Sequence, residues 1–314
     1  MFPSELKNIR RVDVPSAGLP ADNNHDPSNI IYADGLYYLW YTQHRNDRPY
    51  DHYTDCKIMC VTSQDGETWS EGFDALLPGE PGAWDEAGVL TANVTVHEGK
   101  YYMFYTGVQW GYNQEAKDEG WHCGLAVANH PRGPWVRMHD RPVLVSGPEG
   151  AWDDRDTDDA TAIYRQRRWW IYYKGTSAAT PSSDNTLIGV AFGDQIDGPY
   201  TRYEGGALIR GHAFALWPYK DGVLLLSGLK HDSVGKIYGG DWNDPAGVQY
   251  LYYSEDGLHF TPVCEFPNRA CGIYWPQDPA LRNDIRNCWG ISVSTRDTHK
   301  KRYLQRFRFE EAKT

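Results

Sequence analysis

A short aromatic stretch returns along the chain at nearly even intervals, and this recurrence limits the fold more than any other feature. Gly35-Leu36-Tyr37-Tyr38-Leu39-Trp40-Tyr41-Thr42 comes back as Gly99-Lys100-Tyr101-Tyr102-Met103-Phe104-Tyr105-Thr106, and again as Arg168-Trp169-Trp170-Ile171-Tyr172-Tyr173-Lys174. Gly222-Val223-Leu224-Leu225-Leu226-Ser227 is a weaker copy, and Asn287-Cys288-Trp289-Gly290-Ile291-Ser292 reads as a fifth. From Tyr37, Tyr101, Trp169, Leu224 and Cys288 the successive spacings are 64, 68, 55 and 64 residues. Each copy follows a turn signal and is rich in aromatic or branched apolar residues, which predicts a strand.

Two further motifs keep the same period. Ile58-Met59-Cys60-Val61, Gly124-Leu125-Ala126-Val127, Ile188-Gly189-Val190-Ala191 and Tyr250-Leu251-Tyr252-Tyr253 each precede a Gly-bearing turn and an aromatic residue, as hairpins do. Ala83-Trp84-Asp85 and Ala151-Trp152-Asp153 place their Trp 17 residues before the next aromatic strand. Units of about four strands cannot bury both faces alone, whereas radial stacking does so and leaves short edges. The expected fold is all-β, a five-bladed β-propeller forming a single domain over residues 1–314. Residues 1–23 are expected to close or pack on it, with Arg302 to Phe309 pairing the N-terminal segment. No stretch keeps a helical period for three turns, and Gln109 to Trp121 reads as a long loop at a pocket rim.

The composition includes 13 Trp and 22 Tyr, so indole and phenol rings must either fill layers between sheets or face a ring-shaped ligand. A formal charge of -11 argues against nucleic acid and anionic membrane as partners. No long apolar run predicts a membrane span, and Met1 to Leu6 carries no apolar leader. A cytoplasmic location is expected as the sequence stands, and a periplasmic or secreted one if a signal was removed. The six Cys are scattered without a metal-knuckle spacing, so reduced, buried thiols are expected.

Inner strands of a propeller begin around its axis, so their first residues converge. Counting back 11 residues from each strand marker reaches Asp26, then Leu90 beside Thr91 and Asn93, then Asp158 beside Asp159. It next reaches Ala213 after Gly211-His212, and then Gln277 beside Trp275. Two acids in matching positions push their pKa values apart, which suits acid–base work on a glycosidic bond. Asp26 and Asp158 are alternatively caps of turns at the strand starts. His212 is a proton donor or a structural hydrogen-bonding His. Trp217 and Trp275 are sugar platforms or core, and His25 reads either way.

These residues resemble a known family. Asp26-Pro27-Ser28-Asn29, Asp158-Asp159, Tyr172-Tyr173-Lys174-Gly175, and Gly211-His212 through Leu216-Trp217-Pro218 are similar to glycoside hydrolase family 117, within the wider family 43-type propeller group. The resemblance implies an exo-acting, inverting hydrolase that releases 3,6-anhydro-L-galactose from agar-derived oligosaccharides. It assigns Asp26 as general base, Asp158 as the acid that orients or tunes the donor, and His212 as proton donor, with Asp159 replacing Asp158 if the register shifts by one. His25, Asn93, Asp159, Trp217, Trp275 and Gln277 are the expected substrate contacts. An oligosaccharide is the expected partner, and no cofactor is required. A structural divalent cation in the central channel fits such propellers, though no ligands for it are named by the sequence.

Two departures stand out. The family carries Glu directly after the histidine, where this chain has Ala213. The family also swaps an N-terminal helical extension between subunits, whereas the segment 1–23 has no helix-length apolar pattern; a homo-oligomer remains an expectation on the resemblance alone. A family 43-type arabinan or xylan glycosidase is the near alternative and needs a Glu acid, for which Glu86 and Glu119 are the candidates. A carbohydrate-binding propeller without turnover is the alternative from another class.

Overall fold

The computed structural model describes residues 3–20, 24–44, 55–109, 121–180, 186–228, 250–266, 271–296 and 301–312. Almost all regular structure is antiparallel strand, in meanders of four. The first contains Ile30–Ala33, Leu36–Gln43, Lys57–Ser63 and Phe73–Leu76. The second contains Gly88–His97, Lys100–Val108, His122–Ala128 and Val136–Arg137, and the third Asp156–Arg165, Arg168–Thr176, Leu187–Gly193 and Thr201–Arg202. Ala213–Tyr219, Gly222–Gly228, Tyr250–Ser254 and Thr261–Glu265 form the fourth. The last meander takes Cys271–Tyr274, Trp289–Arg296 and Lys301–Glu311 from the C-terminal part and Ile9–Asp13 from the N-terminal part. A single parallel pair, Tyr274 with Ile30, joins it to the first meander. This is the all-β arrangement of a propeller-type fold. Among the described residues no helix is long and apolar enough to cross a membrane.

The aromatic copies occupy the second strand of each meander, and pleating sends alternate residues to opposite faces. Tyr38 and Trp40 therefore pack with Val94, Met103 and Tyr105 of the second meander. Leu39 and Tyr41 face the other way, toward Trp289, Ile291 and Val293 of the last. Phe104 meets Ile171 and Tyr173, Trp170 and Tyr172 meet Leu216 and Leu225, and Trp217 and Leu224 meet Phe307 and Phe309. The core thus lies between consecutive sheets, and the last sheet packs on the first.

The Ala-Trp-Asp repeat is a structural clasp, built twice. Tyr105 Oη donates to Asp85 Oδ2 at 2.9 Å, and Arg137 Nε donates to the same oxygen at 2.7 Å. Trp84 stacks on Tyr105, and Arg137 Nη2 donates to the Leu77 carbonyl at 2.7 Å. One meander on, Asp153 accepts from Tyr173 Oη at 2.8 Å and from Arg202 Nε at 2.7 Å, with Trp152 stacked on Tyr173 and Arg202 reaching the Val145 carbonyl. Each buried carboxylate has two partners, so the inter-sheet loop is fixed to its strand without a lone buried charge.

Ile9 through Asp13 pair in register with Glu311 through Phe307. The adjoining inner strand approaches the first meander so closely that a Cβ on Gly272 would lie 1.4 Å from the Ser28 carbonyl oxygen. Only glycine fits there.

Candidate active site

Backbone geometry locates the site. Asp26, Thr91 and Asp159 have φ of 47°, 51° and 54°, in the left-handed region that non-glycine residues seldom enter. Each follows a residue paired to the neighbouring strand: His25 with Thr42, Leu90 with Thr106, Asp158 with Lys174. The three left-handed residues therefore occupy one position in three successive meanders. Side chains link them. Thr91 N–H donates to Thr42 Oγ1 at 2.9 Å, Asp159 N–H donates to Thr106 Oγ1 at 3.3 Å, and the Thr91 and Thr106 hydroxyls meet at 2.5 Å.

This pairing makes Asp159, rather than Asp158, the positional counterpart of Asp26. The reason lies in the bulges. In the first meander the residues numbered 26–29 lie opposite 40–41, whereas in the third 159–160 lie opposite 173 alone. The first bulge thus holds an additional residue, which a count from the strand marker cannot detect.

Exposure separates the acids. The side chains of Asp26, Asp159 and Asp158 are 26%, 13% and 2% exposed. Lys174 Nζ bridges the latter two, 2.8 Å from Asp159 Oδ2 and 3.0 Å from Asp158 Oδ2. Burial pushes Asp158 well above the ordinary carboxylate range, with Lys174 opposing and Asp159 adding to the rise. Burial also raises Asp159, against Lys174, and the charge of Asp26 raises it further. Burial alone would discharge Lys174, but the two carboxylates outweigh it and hold the ammonium charged well beyond the usual lysine range. One cation between two buried acids leaves the cluster able to keep an extra proton.

His25 lies beneath Asp26, with Nδ1 against Asp26 Oδ2 and Nε2 against Nε2 of His44. His44 Nδ1 in turn lies 3.3 Å from Cys56 Sγ. His25 is buried, with both ring nitrogens engaged in these contacts. His212, half-buried, immediately precedes the strand Ala213–Tyr219; its Nδ1 is 3.3 Å from Thr186 Oγ1, which donates to the Gly211 carbonyl at 2.7 Å.

Asn93 stays beside the bulges that carry Asp26 and Asp159, whereas other expected contacts lie elsewhere. Asn93 is an inter-sheet tie: its Oδ1 accepts from Asn29 N–H at 3.2 Å and its Nδ2 donates to the Ala160 carbonyl at 3.3 Å. Trp217 is fully buried against Phe309, because its place in the pleat points into the space between sheets. Trp275 is half-buried against the same core, and Gln277 is exposed. Both follow a strand that runs parallel to Ile30–Ala33 and leads away from Asp26. The adjoining helical turn confirms the side: Asn283 Oδ1 accepts from Lys220 N–H, in the hairpin at the far end of the strand from His212. The count of 11 therefore reaches the opposite face in that unit. Glu86 accepts from Gly82 N–H at 2.5 Å and closes a surface turn. Glu119 lies outside the described residues.

Lys174 and His44 were not singled out from the sequence as site residues. A lysine within the apolar strand Arg168–Thr176 was the available signal for the first. Nothing local marks the second. Among the described residues no group of three or more His, Cys, Asp or Glu side chains gathers as a metal cage.

Comparison with known proteins bears on the fold that carries this site. Residues 20–153 match the model of glycosyl hydrolases family 43. No curated protein matches in sequence. Among solved structures, a family 117 glycoside hydrolase produced by the marine bacterium Zobellia galactanivorans superposes with a TM-score of 0.76 at 23% identity, over 97% of this chain and 91% of that one. A thermostable family-43 glycoside hydrolase gives 0.63 at 12% identity over 96% and 94%. An endo-arabinase from Bacteroides thetaiotaomicron gives 0.59 at 13% over 93% and 95%. The matched segment and the fold together mark the chain as a glycoside hydrolase that resembles family 117 within the wider family 43-type propeller group.

Proposed function

We propose that the chain is one five-bladed propeller acting as an exo-glycosidase with inversion, releasing a terminal sugar such as 3,6-anhydro-L-galactose from algal or related oligosaccharides. The observation that carries this reading is the matched placement of Asp26 and Asp159, in one left-handed backbone position of two meanders, with the charge of one acting on the other. Asp26, the most exposed of the three acids, activates water on one face of the anomeric carbon. Asp159 faces the sugar, while Asp158, sealed behind Lys174, sets the local charge. His212 protonates the departing oxygen. Protein side chains and water carry the whole reaction, so no cofactor takes part in it.

Ala213 bears on the substrate. A carboxylate beside His212 would favour its protonated form, and this chain has a methyl group there. The experiment is hydrolysis of a panel of agar-, arabinan- and xylan-derived oligosaccharides, with product anomers followed by proton NMR. Initial release of the inverted anomer from an agar-derived end supports the reading, and Asp26→Asn should lower the rate at least about a thousandfold. Retained configuration, or an unaffected Asp26→Asn enzyme, would sink it. A family 43-type activity would appear instead as release from arabinan or xylan fragments.

A further inference from the structure

We infer that His25, His44 and Cys56 are positioning residues that orient the Asp26 carboxylate through a one-way chain of hydrogen bonds starting at the Cys56 thiol. The inference rests on the reading of Asp26 as general base. It starts from four side chains in a row: Asp26 Oδ2 against His25 Nδ1, His25 Nε2 against His44 Nε2, and His44 Nδ1 at 3.3 Å from Cys56 Sγ. His25, His44 and Cys56 are all buried, so this row lies behind the carboxylate and away from solvent.

The direction of the chain follows from what each atom can do. An ionised carboxylate only accepts, so His25 Nδ1 carries the proton. In a neutral ring the other nitrogen then accepts, which requires His44 to donate from Nε2. His44 Nδ1 is left as an acceptor, and the Cys56 S–H supplies the donor. The reverse order would need a proton on Asp26 and would leave His44 N–H facing sulfur, which accepts well only as a thiolate. Burial pushes that thiol far up, and the charges of Asp26 and Asp55 push it further, so the thiol keeps its proton. Every link is satisfied with one proton per contact.

The chain is anchored to a second sheet. Val89 N–H donates to the Cys56 carbonyl at 3.0 Å, and Asp55 N–H donates to the Ala87 carbonyl at 2.5 Å. Movement of Asp26 would therefore require movement across two meanders. Fixing Oδ2 orients the carboxylate of a residue whose backbone already sits in an uncommon conformation. Among the described residues, the charged groups facing this region include Asp159, whose pKa responds to Asp26, with Lys174 bridged to it, and Asp55 beside Cys56.

Nitrogen-15 NMR of the imidazole rings at pH 7 tests the chain without any substrate. His25 should show the Nδ1–H tautomer and His44 the Nε2–H tautomer. The opposite tautomer at either ring, or shifts showing both Nε2 atoms bound to a metal ion in protein as purified, overturns the inference. The kinetic test uses whichever oligosaccharide of the panel is cleaved. His44→Leu should lower kcat about tenfold or more, leave KM nearly unchanged and move the acidic limb of the pH profile upward. His44→Gln, which keeps an N–H near the position of Nε2, should recover most of the loss. A folded His44→Leu enzyme with the wild-type profile overturns the positioning role. Hydrolysis that survives Asp26→Asn sinks the base assignment instead, and leaves the tautomers to be judged on the spectra alone.

Discussion

The ammonium of Lys174 lies 2.8 Å from Asp159 Oδ2, on a strand whose neighbours Trp170, Ile171, Tyr172 and Tyr173 are buried. A charge in that setting is retained only because its partners are charged as well. Replacing Lys174 with Met leaves two buried carboxylates facing each other, a change that typically costs about 3–5 kcal/mol. Urea denaturation at pH 7 should show this loss, and a smaller one at a lower pH as the acids take up protons. Equal losses at both pH values would mean that the ion cluster is not the cause.

The same cluster sets a pH dependence. Asp158 and Asp159 hold protons more tightly in the folded chain than in the unfolded one. Stability contributed by that binding is whole below about pH 4, the unfolded carboxylate range, and is lost as pH rises through the folded values. Lys174 is also raised, so its contribution is whole below about pH 10 and lost above it. Stability curves of the wild type and Asp159→Asn should therefore diverge as pH increases from 4, with the variant losing less. Parallel curves would contradict the shift at Asp159.

Asp85 and Asp153 should each behave as a clasp. Asp153→Ala strands the Tyr173 hydroxyl and the Arg202 guanidinium, and Asp85→Ala does the same to Tyr105 and Arg137. A loss of about 2–4 kcal/mol is expected for either, read from chemical denaturation. Tyr173→Phe should cost less, about 1 kcal/mol, since only one neutral hydrogen bond goes. A loss for Tyr173→Phe as large as that for Asp153→Ala would place the weight on the ring instead.

Trp217 separates packing from binding. Its indole is enclosed between sheets, so Trp217→Ala should destabilise by about 3–5 kcal/mol. Trp217→Phe should retain most stability and leave KM for any cleaved oligosaccharide unchanged. A raised KM in the folded Phe variant would return Trp217 to the substrate.

Sheet architecture was legible because it rests on repetition. A strand period of two and a unit period near 60 residues both survive in Tyr37, Tyr101 and Trp169, which all took the second strand of their meanders. The site was legible to within a residue. Asp26 and the Asp158-Asp159 pair were found by counting, but bulges add residues without adding ladder positions, so the slot-mate of Asp26 was displaced by one. The last unit failed for a different reason. Its second strand begins after a helical turn at Pro279–Arg282, so the count from Cys288 crossed that insertion and ended at Gln277 on the far face. His44 could not have been found at all, since its link to His25 exists only after the hairpin closes.

The pairing of Ile9 with Glu311 also dictates when this protein can finish folding. A chain leaving the ribosome exposes its first strand long before the partner strand has been made, and early sheets must wait with one face open. Completion of the ring therefore waits until the strand Lys301–Glu311 has been made, with Gly272 as the narrow point through which the last sheet must settle on the first. A circular permutant that joins the present termini and opens at the 76–88 connection would place both partners of that seam mid-chain, and it should refold faster than the native order.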